Sequence, residues 1–437
     1  MRRGLPIAVI VALSLLILIP TNFFSKGFRL EIPQEDLRAL SKFLSPLLQW
    51  SWGWETLKSY AERSNNPLYL ILGAIAIGER GDYKSASALL KRAEQALPTD
   101  PLPSLLQSLY SEKKIDEETA ALLQKELKSR LRGWFRDKPL SHLYKMMGNL
   151  REAEKAEANL RNLNRSIILR IFFLGFYMIF LFFLGIFLLI LYLTVLAKRL
   201  PSASGAPPSL GWGWAIAIIF LFILVQSAIS SIPLLLVSLP IYSSSFWKRL
   251  IPVFFLLAEL VGGGLIFFLT KKRCSRLGIS LKSIGWKGDS GYLLWGLSGW
   301  AVSFPLVVLA FVFSYLFRFT SIKGKEDIPY FFLTSPAGGK AALLFLIVFL
   351  APLFEELLFR GLLYPSLREE LGVVPAIILS SFFFASVHAD VSRLLPLMTL
   401  GMVFTYLYEK RHSLLPSILA HALWNAQTIF LLLLLYS

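Results

Sequence analysis

The sequence predicts an all-α protein: a polytopic bundle of membrane helices, with eight core spans plus an N-terminal anchor, joined to a soluble helical-repeat domain. Three observations support this class. The chain has 437 residues, 55% of them hydrophobic, and a mean hydropathy of +0.59, above that of ordinary soluble proteins. Its apolar residues are gathered into long segments. Residues 24–166 are instead polar, rich in Ala, Leu, Glu and Lys, and almost without strand signal.

The composition divides the chain into three parts. Residues 1–23 begin with two arginines followed by an apolar run, which is the pattern of a membrane anchor. A cleaved signal peptide is the alternative, but no small-x-small cleavage pattern follows the run, so we expect the anchor to be retained. Residues 24–166 form the predicted soluble helical domain, and residues 167–437 form the predicted membrane core.

Eight apolar segments make up this core. A helix needs about 20 residues to cross ~30 Å of hydrocarbon, and most of the segments are that long. Two of them, Val373–Val387 and Leu394–Tyr408, are short, so neighbouring helices or tilt must shelter their ends. The other six are Ile171–Ala197, Trp212–Leu239, Ile251–Thr270, Tyr292–Phe317, Ala341–Leu363 and Leu414–Tyr436.

The charges in the loops orient the bundle. The chain has 45 Lys and Arg against 28 Asp and Glu, a formal charge of +17, and much of the excess lies in short loops between apolar segments. Three basic loops, at 197–209, 271–288 and 408–413, are separated by pairs of spans, and the positive-inside rule places them in the cytoplasm. Residues 24–166 then lie outside it. We expect an integral protein of a prokaryotic plasma (inner) membrane, in contact with the lipid bilayer and without a nucleic-acid partner.

The soluble domain contains a repeating pattern. Ala86, Ala120 and Ala153 are 34 and 33 residues apart, each early in a predicted helix. The stretch GAIAIGERGDYKSASALLKRAEQALPTDP resembles a tetratricopeptide repeat, which pairs helices and binds protein segments. The alternative is an unrelated helical bundle with Ala-rich seams. With His142 as its sole histidine and no cysteine, the domain is predicted to bind a protein partner and not to catalyse a reaction.

The stretch APLFEELLFRGLLYPSL places three charged residues in apolar surroundings, where each charge costs about 3 kcal/mol to insert. Glu356 and Arg360 are four residues apart and share a helix face, so they are predicted to form an ion pair. Glu355 is rotated by about 100° from Glu356 and has no basic residue three or four positions later. A carboxylate left over in this way is suited to general acid–base chemistry.

Three of the four histidines lie in the last 50 residues. His388 ends an apolar segment, and His421 and Asn425 are four residues apart on one face of the last helix. His412, in a basic loop, is expected to be solvated. Two carboxylates, two imidazoles, a carboxamide and a guanidinium are therefore expected to meet in one pocket, although each alone is typical of an interhelical polar contact.

Together, these residues resemble a known family. Glu355-Glu356-x-x-x-Arg360, Phe384-x-x-x-His388 and His421-x-x-x-Asn425 are similar to the three motifs of the CAAX protease and bacteriocin-processing family of intramembrane endopeptidases, which includes the type II CAAX prenyl endopeptidases. The resemblance covers about residues 345–430. It implies that Glu355 and His388 hold and activate water, that Glu356 and Arg360 orient the site, and that His421 and Asn425 stabilise the oxyanion or complete a metal site.

Several alternatives stay open. Zinc bound by Glu355, His388 and His421 would explain the same residues as metal-free, glutamate-activated water, which we favour slightly. The soluble metalloprotease signature H-E-x-x-H is absent from the sequence, and the single Cys274 allows neither an intrachain disulfide nor a cysteine-based zinc site. The expected substrate is a membrane-associated protein or peptide. A non-catalytic membrane scaffold and a solute transporter with a carboxylate proton relay are the competing classes.

Overall fold

The structure is a computed structural model, and it describes most of the chain. Described are residues 51–111, 114–196, 205–238, 245–288, 290–316, 335–388 and 390–436, together with Ser41, Ser45, Leu48 and Phe332. Every regular element in these ranges is helical, which confirms the all-α class. The predicted anchor, residues 1–23, lies outside the described residues.

The described part of the chain contains the following helices in order. They are α1 (Ser51–Arg63), α2 (Pro67–Gly78), α3 (Tyr83–Ala96), α4 (Pro101–Leu109), α5 (Glu117–Arg130), α6 (Trp134–Met146), α7 (Leu150–Leu191), α8 (Trp212–Ser238), α9 (Ser245–Arg276), α10 (Tyr292–Leu316), α11 (Ala337–Leu371), α12 (Val373–Val387), α13 (Leu394–Arg411) and α14 (Leu415–Tyr436). Helix α11 contains two π-helical turns, Leu346–Leu350 and Leu357–Leu363. A further π-helical turn, Tyr192–Leu196, follows α7.

The described chain forms two compact units, whose boundary falls within α7 between Gly175 and Phe176. We call the described residues up to Gly175 the helical unit, and residues 176–431 the bundle unit. The composition-based boundary at 166/167 stays a prediction.

The helical unit repeats a helix pair in a constant register. Its first helices start at residues 67, 101 and 134, and its second helices start at residues 83, 117 and 150, so both series have spacings of 34 and 33. Ala86, Ala120 and Ala153 are each the fourth residue of a second helix, and all three are buried. A small side chain at this position lets the paired helices approach closely, which explains the period seen in the sequence.

The helix starts in this unit are set by capping side chains. Asn66 and Asp100 accept hydrogen bonds from the backbone N–H groups of Leu68 and Leu102, and each is followed directly by a proline that favours the first helical position. Between α2 and α3 the chain turns at Gly81, whose φ of 88° lies in the left-handed region. The repeat spacing is therefore built from local capping and turn signals.

The bundle unit is apolar on its outside as well as its inside. Seven helices among the described residues are long and apolar enough to cross a membrane, namely α7, α8, α9, α10, α11, α13 and α14. Phe176, Phe180, Phe183 and Phe187 form an outward stripe on α7 and are 57–64% exposed. Such a stripe faces lipid favourably, so this is an integral membrane protein.

One predicted span is shorter than a membrane crossing. Helix α12 is apolar but has only 15 residues, a length of about 22 Å against ~30 Å of hydrocarbon. Of the eight expected core segments, seven are thus long enough among the described residues. Val373–Val387 is short as predicted, whereas the segment predicted as Leu394–Tyr408 is longer than expected and belongs to α13. Helix α12 packs along α13, where a Cβ at Gly401 would come within 2.9 Å of the Ser381 Cβ.

His412 differs from its prediction. It caps the C-terminus of α13 with a φ of 48° and is only 7% exposed, so it is not a solvated loop residue. Burial lowers the pKa of its imidazole.

Candidate active site

Glu356 and Arg360 form a fully buried ion pair on α11. Arg360 Nη1 donates to Glu356 Oε1 over 2.7 Å, and both side chains are at most 1% exposed. The guanidinium also donates through Nη2 to the Gly401 carbonyl at 3.2 Å and through Nε to Thr405 Oγ1 at 3.4 Å. The pair therefore joins α11 to α13, and the high cost of burying two charges is offset by hydrogen bonds on several sides.

Two aromatic rings enclose this guanidinium. The Arg360 Cζ lies 4.5 Å from the centroid of Phe384 on α12 and 5.4 Å from that of Phe404 on α13. Cations are attracted to the faces of such rings, most strongly when water is excluded. Three helices therefore fix the position of Arg360 and, through it, of the Glu356 carboxylate.

His421 of α14 is attached to the same carboxylate. Its Nδ1 lies 2.9 Å from Glu356 Oε1, and its ring stacks on Phe404 with centroids 5.1 Å apart. Because the Arg360 contact keeps Glu356 as an acceptor, His421 Nδ1 must carry the proton of this hydrogen bond. Its Nε2 then points towards Glu355, 3.8 Å from Oε2. Glu356 thus orients His421 much as a carboxylate orients the histidine of a catalytic triad.

Glu355 forms no ion pair with a lysine or arginine in the described part of the chain, as the helix spacing predicts. Its side chain is 22% exposed, and its Oε2 is buried without a hydrogen-bond partner among the described residues. A carboxylate oxygen in this position is open to a donor such as water, and it lies beside the Nε2 of an oriented imidazole. This is the arrangement that a general base requires.

His388 lies at the end of α12 and reaches the cluster indirectly. Its Nδ1 is 2.8 Å from the Phe384 carbonyl, which can only accept, so Nδ1 carries the proton and Nε2 is left as an acceptor. Its ring contacts the Phe384 ring, which in turn contacts His421. Within the described parts of the chain, His388 makes no direct hydrogen bond to Glu355. The structure thus connects it to the site through Phe384.

Asn425 is placed by an irregularity of α11. In a π-helical turn a carbonyl pairs with the amide five residues later, and for Ile347 that residue is Pro352, which has no N–H. Asn425 Nδ2 supplies the missing donor at 2.8 Å from the Ile347 carbonyl. One Nδ2 hydrogen is thereby used for structure, and the second hydrogen and the amide oxygen remain for other contacts.

The geometry also tests the zinc interpretation. In the described residues no group of three or more His, Cys, Asp or Glu side chains lies close enough to hold a metal ion. Of the three predicted ligands, Glu355 and His421 are neighbours, whereas His388 is turned to the Phe384 carbonyl. The residues do not fit a three-ligand site in this arrangement, and we derive no step through a metal.

A third carboxylate close to the site was missed by sequence reasoning. Glu259 of α9 is buried, accepts a hydrogen bond from the Gln226 side chain of α8, and interacts electrostatically with Glu355. The signal was present, since Glu259 is the sole acidic residue of the apolar segment Ile251–Thr270. It lies almost a hundred residues before the motifs, and no helix periodicity connects it to them.

The region that holds the site is similar to a known protein family. Residues 337–427 match the family model described as type II CAAX prenyl endopeptidase Rce1-like. The match includes α11 to most of α14 and hence all six predicted site residues, Glu355, Glu356, Arg360, His388, His421 and Asn425. The C-terminal region is therefore similar to the Rce1-like CAAX protease family.

Two bacterial proteins are similar to part of the chain. YdiL of Bacillus subtilis (strain 168), named as a candidate membrane peptidase, is 31% identical over 80 residues, which are 18% of this chain and 33% of YdiL. The UPF0177 protein YxdF of Lactococcus lactis subsp. lactis (strain IL1403) is 34% identical over 82 residues, 18% of this chain and 45% of YxdF. The chain thus matches less than half the length of each relative. No solved structure is significantly similar to the chain.

Proposed function

We propose that this protein is an intramembrane endopeptidase that hydrolyses peptide bonds of a membrane-associated protein or peptide with water activated by Glu355. The observation that carries the proposal is the difference in surroundings between two adjacent carboxylates. Glu356 is fully buried, neutralised by Arg360 and bonded to His421 through Oε1, whereas Glu355 is 22% exposed and forms no ion pair with a lysine or arginine among the described residues. A purely structural pair would need Glu356 and Arg360 alone.

In the proposed reaction, a water molecule donates hydrogen bonds to Glu355 and to Nε2 of His388. Glu355 takes a proton as the water oxygen attacks the carbonyl carbon, and the C=O electron pair moves to the oxygen. The second amide hydrogen of Asn425 donates to this oxyanion, while His421, oriented by Glu356, keeps Nε2 beside the Glu355 carboxylate that receives the proton. Glu355 then passes its proton to the leaving nitrogen, the C–N bond breaks, and an acid and an amine are formed.

The test is a cleavage assay with detergent-solubilised protein and model peptides. Glu355→Gln removes the base but keeps the size and polarity of the side chain, so cleavage should fall by at least about a hundredfold while the yield of folded protein is unchanged. Glu369→Gln, an exposed carboxylate on the same helix, is the matched control and should cleave normally. Full activity of Glu355→Gln would disprove the role of Glu355. Absence of cleavage by the wild type across a broad peptide library would favour the scaffold interpretation.

We further propose that the helical unit holds a protein substrate or partner beside the site. Helix-pair arrays bury a shared core and present an extended binding surface, and this unit repeats one helix register three times. Its buried ionisable groups are used in structural contacts, as with Glu79, which accepts from the Tyr110 hydroxyl at 3.0 Å. The plasma (inner) membrane of a prokaryote, with this unit outside the cytoplasm, stays part of the proposal.

The recruiting role is tested on the full chain. Ala120→Arg places a charge in the buried seam of α5 and should disrupt the helical unit, whereas Ala121→Arg on the exposed face of the same helix should not. We expect Ala120→Arg to reduce cleavage of a full-length membrane substrate but not of a short peptide. The defect should fade as substrate concentration rises, because recruitment acts through effective concentration. Equal loss on both substrates would contradict recruitment.

A further inference from the structure

Glu259 is a buried carboxylate that the proposed reaction does not use. It is 6% exposed and lies midway along α9, in an otherwise apolar stretch. Gln226 of the adjacent helix α8 donates from Nε2 to Glu259 Oε2, which fixes the plane of the carboxylate. The other oxygen, Oε1, is buried and has no hydrogen-bond partner among the residues that the structure describes. A buried carboxylate oxygen without a hydrogen bond destabilises the folded protein unless a donor reaches it.

The packing of α9 brings this carboxylate to the site helix. Gly263, one turn after Glu259, has no side chain, and a Cβ built there would lie 2.2 Å from the ring of Phe354. Helix α9 therefore lies directly against α11 at the residue that precedes Glu355. Glu259 and Glu355 are near enough to interact electrostatically. The two carboxyl groups thus belong to one site, contributed by two helices.

The charges of this site do not balance. Three carboxyl groups, those of Glu259, Glu355 and Glu356, lie near one guanidinium, and Arg360 is bonded to Glu356. In the described part of the chain no Lys or Arg forms an ion pair with Glu259 or Glu355. Glu259, Glu355 and Glu356 each have one buried oxygen without a donor among the described residues. In surroundings with little water, such an excess of negative charge strongly favours a cation over a neutral group of equal size.

We propose that Glu259, held by Gln226, is a specificity-determining residue that binds the side chain of a Lys or Arg close to the cleaved bond of the substrate. This inference rests on the proposed peptidase function and names the class of peptide that it takes. The cation would donate to Glu259 Oε1 and balance the second carboxylate, which leaves Glu355 free to contact water. Gln226 acts as a positioning residue, because it donates to Oε2 of Glu259 and leaves Oε1 for the substrate.

The test compares peptides that differ in one side chain. A cleavable peptide is varied by placing a single Lys, or a Gln of similar length, at each position around the cleaved bond, and kcat/KM is measured with the full-length protein. For the wild type we expect Lys to be preferred over Gln by at least about tenfold at one position. Glu259→Gln, which keeps the hydrogen bond to Gln226, should abolish that preference. Glu369→Gln should retain it.

A binding measurement separates this inference from the failure of catalysis. Peptides with a hydroxyethylene group in place of the cleaved amide cannot be hydrolysed, so their affinity reports recognition even if the protein proves not to be a peptidase. The Lys peptide should bind the wild type more tightly than the Gln peptide by a similar factor, and Glu259→Gln should equalise them. Equal affinities for the wild type, or an unchanged ratio in Glu259→Gln, would overturn the proposal. Either result would indicate that Glu259 is a neutral structural group.

Discussion

The two units of the molecule use ion pairs in different surroundings. In the helical unit, Arg130 binds Asp100 through two nitrogens at 2.5 and 2.7 Å, and the arginine side chain is still 23% exposed. In the bundle unit, the Arg360–Glu356 pair has a similar contact of 2.7 Å but no access to water. The same chemistry therefore has different consequences. When Arg130 is removed, water can replace its partly exposed side chain at Asp100, whereas removal of either partner of the second pair leaves a buried charge.

The largest expected effect is the loss of Arg360. Arg360→Ala leaves Glu356 buried without its cation and removes the contacts to Gly401, Thr405 and two aromatic rings, so it should destabilise the bundle unit by about 3–5 kcal/mol. Thermal unfolding in detergent, read by the accessibility of buried Cys274 to a thiol reagent, measures this.

The comparison variant for this change is Arg130→Ala in the helical unit. It should cost about 1 kcal/mol, because Arg130 is the partly exposed partner and its removal lets water reach Asp100, which is 5% exposed in the pair. Equal destabilisation by the two substitutions would mean that burial does not determine the strength of these pairs.

A smaller effect is expected where α9 meets α11. Gly263→Ala would place a methyl group 2.2 Å from the Phe354 ring and should cost about 1–3 kcal/mol through overpacking. Because Phe354 precedes Glu355, peptide cleavage should fall more than stability does. Gly264→Ala is a matched control on the same helix, since its added methyl group would meet nothing within 4 Å. If both variants behave alike, the close contact does not position Glu355.

The smallest effect concerns pH and the helical unit. Burial alone would raise the pKa of Asp100, but hydrogen bonds from Arg130 and the Leu102 N–H, with the charge of Arg130, lower it overall. A carboxylate whose pKa is lowered on folding stabilises the fold above its unfolded pKa of about 3.9, and this stability is lost as the pH falls through the folded value. Asp100→Asn should therefore cost about 1 kcal/mol near pH 7 and progressively less below about pH 4.

Hydrogen exchange of α4 and α5 in the full chain measures this difference at several pH values. Lys58→Ala is the control, because the Lys58–Asp82 pair is 3.9 Å long and exposed on both sides, and its loss should change little at any pH. A difference for Asp100→Asn that does not shrink in acid would contradict the assigned role of the ion pair.

Much of the fold was predictable because its signals are local. Apolar segment length located the bundle helices, and the spacing of Ala86, Ala120 and Ala153 gave the helix-pair register. The helix spacing also predicted the ion pair between Glu356 and Arg360 that the structure contains. The ion pair depends on residues one helical turn apart, and the other two features are regular patterns along the chain that require no knowledge of tertiary contacts.

The features that escaped prediction depend on contacts between distant segments. The bond from His421 to Glu356 joins residues 65 positions apart, and the nearness of Glu259 to Glu355 arises from packing at Gly263. The burial of His412 likewise follows from tertiary packing, although the sequence of its loop is basic and polar and predicts exposure. The assignment of catalytic roles and of the tetratricopeptide pattern stays a prediction.

The two π-helical turns of α11 have a consequence for the length of this segment. Each wide turn accommodates one residue more than an α-helical turn, so the extra residue is taken up within the turn. In a regular α-helical turn, one residue more or less rotates the two flanking parts of the helix against each other by about 100°. Removing one apolar residue from Leu346–Leu350 should therefore be tolerated better than removing one from the regular turns of Ala337–Phe345, which would rotate the start of α11 relative to Glu355 and Glu356. Changes in the length of this segment are thus least damaging at its wide turns.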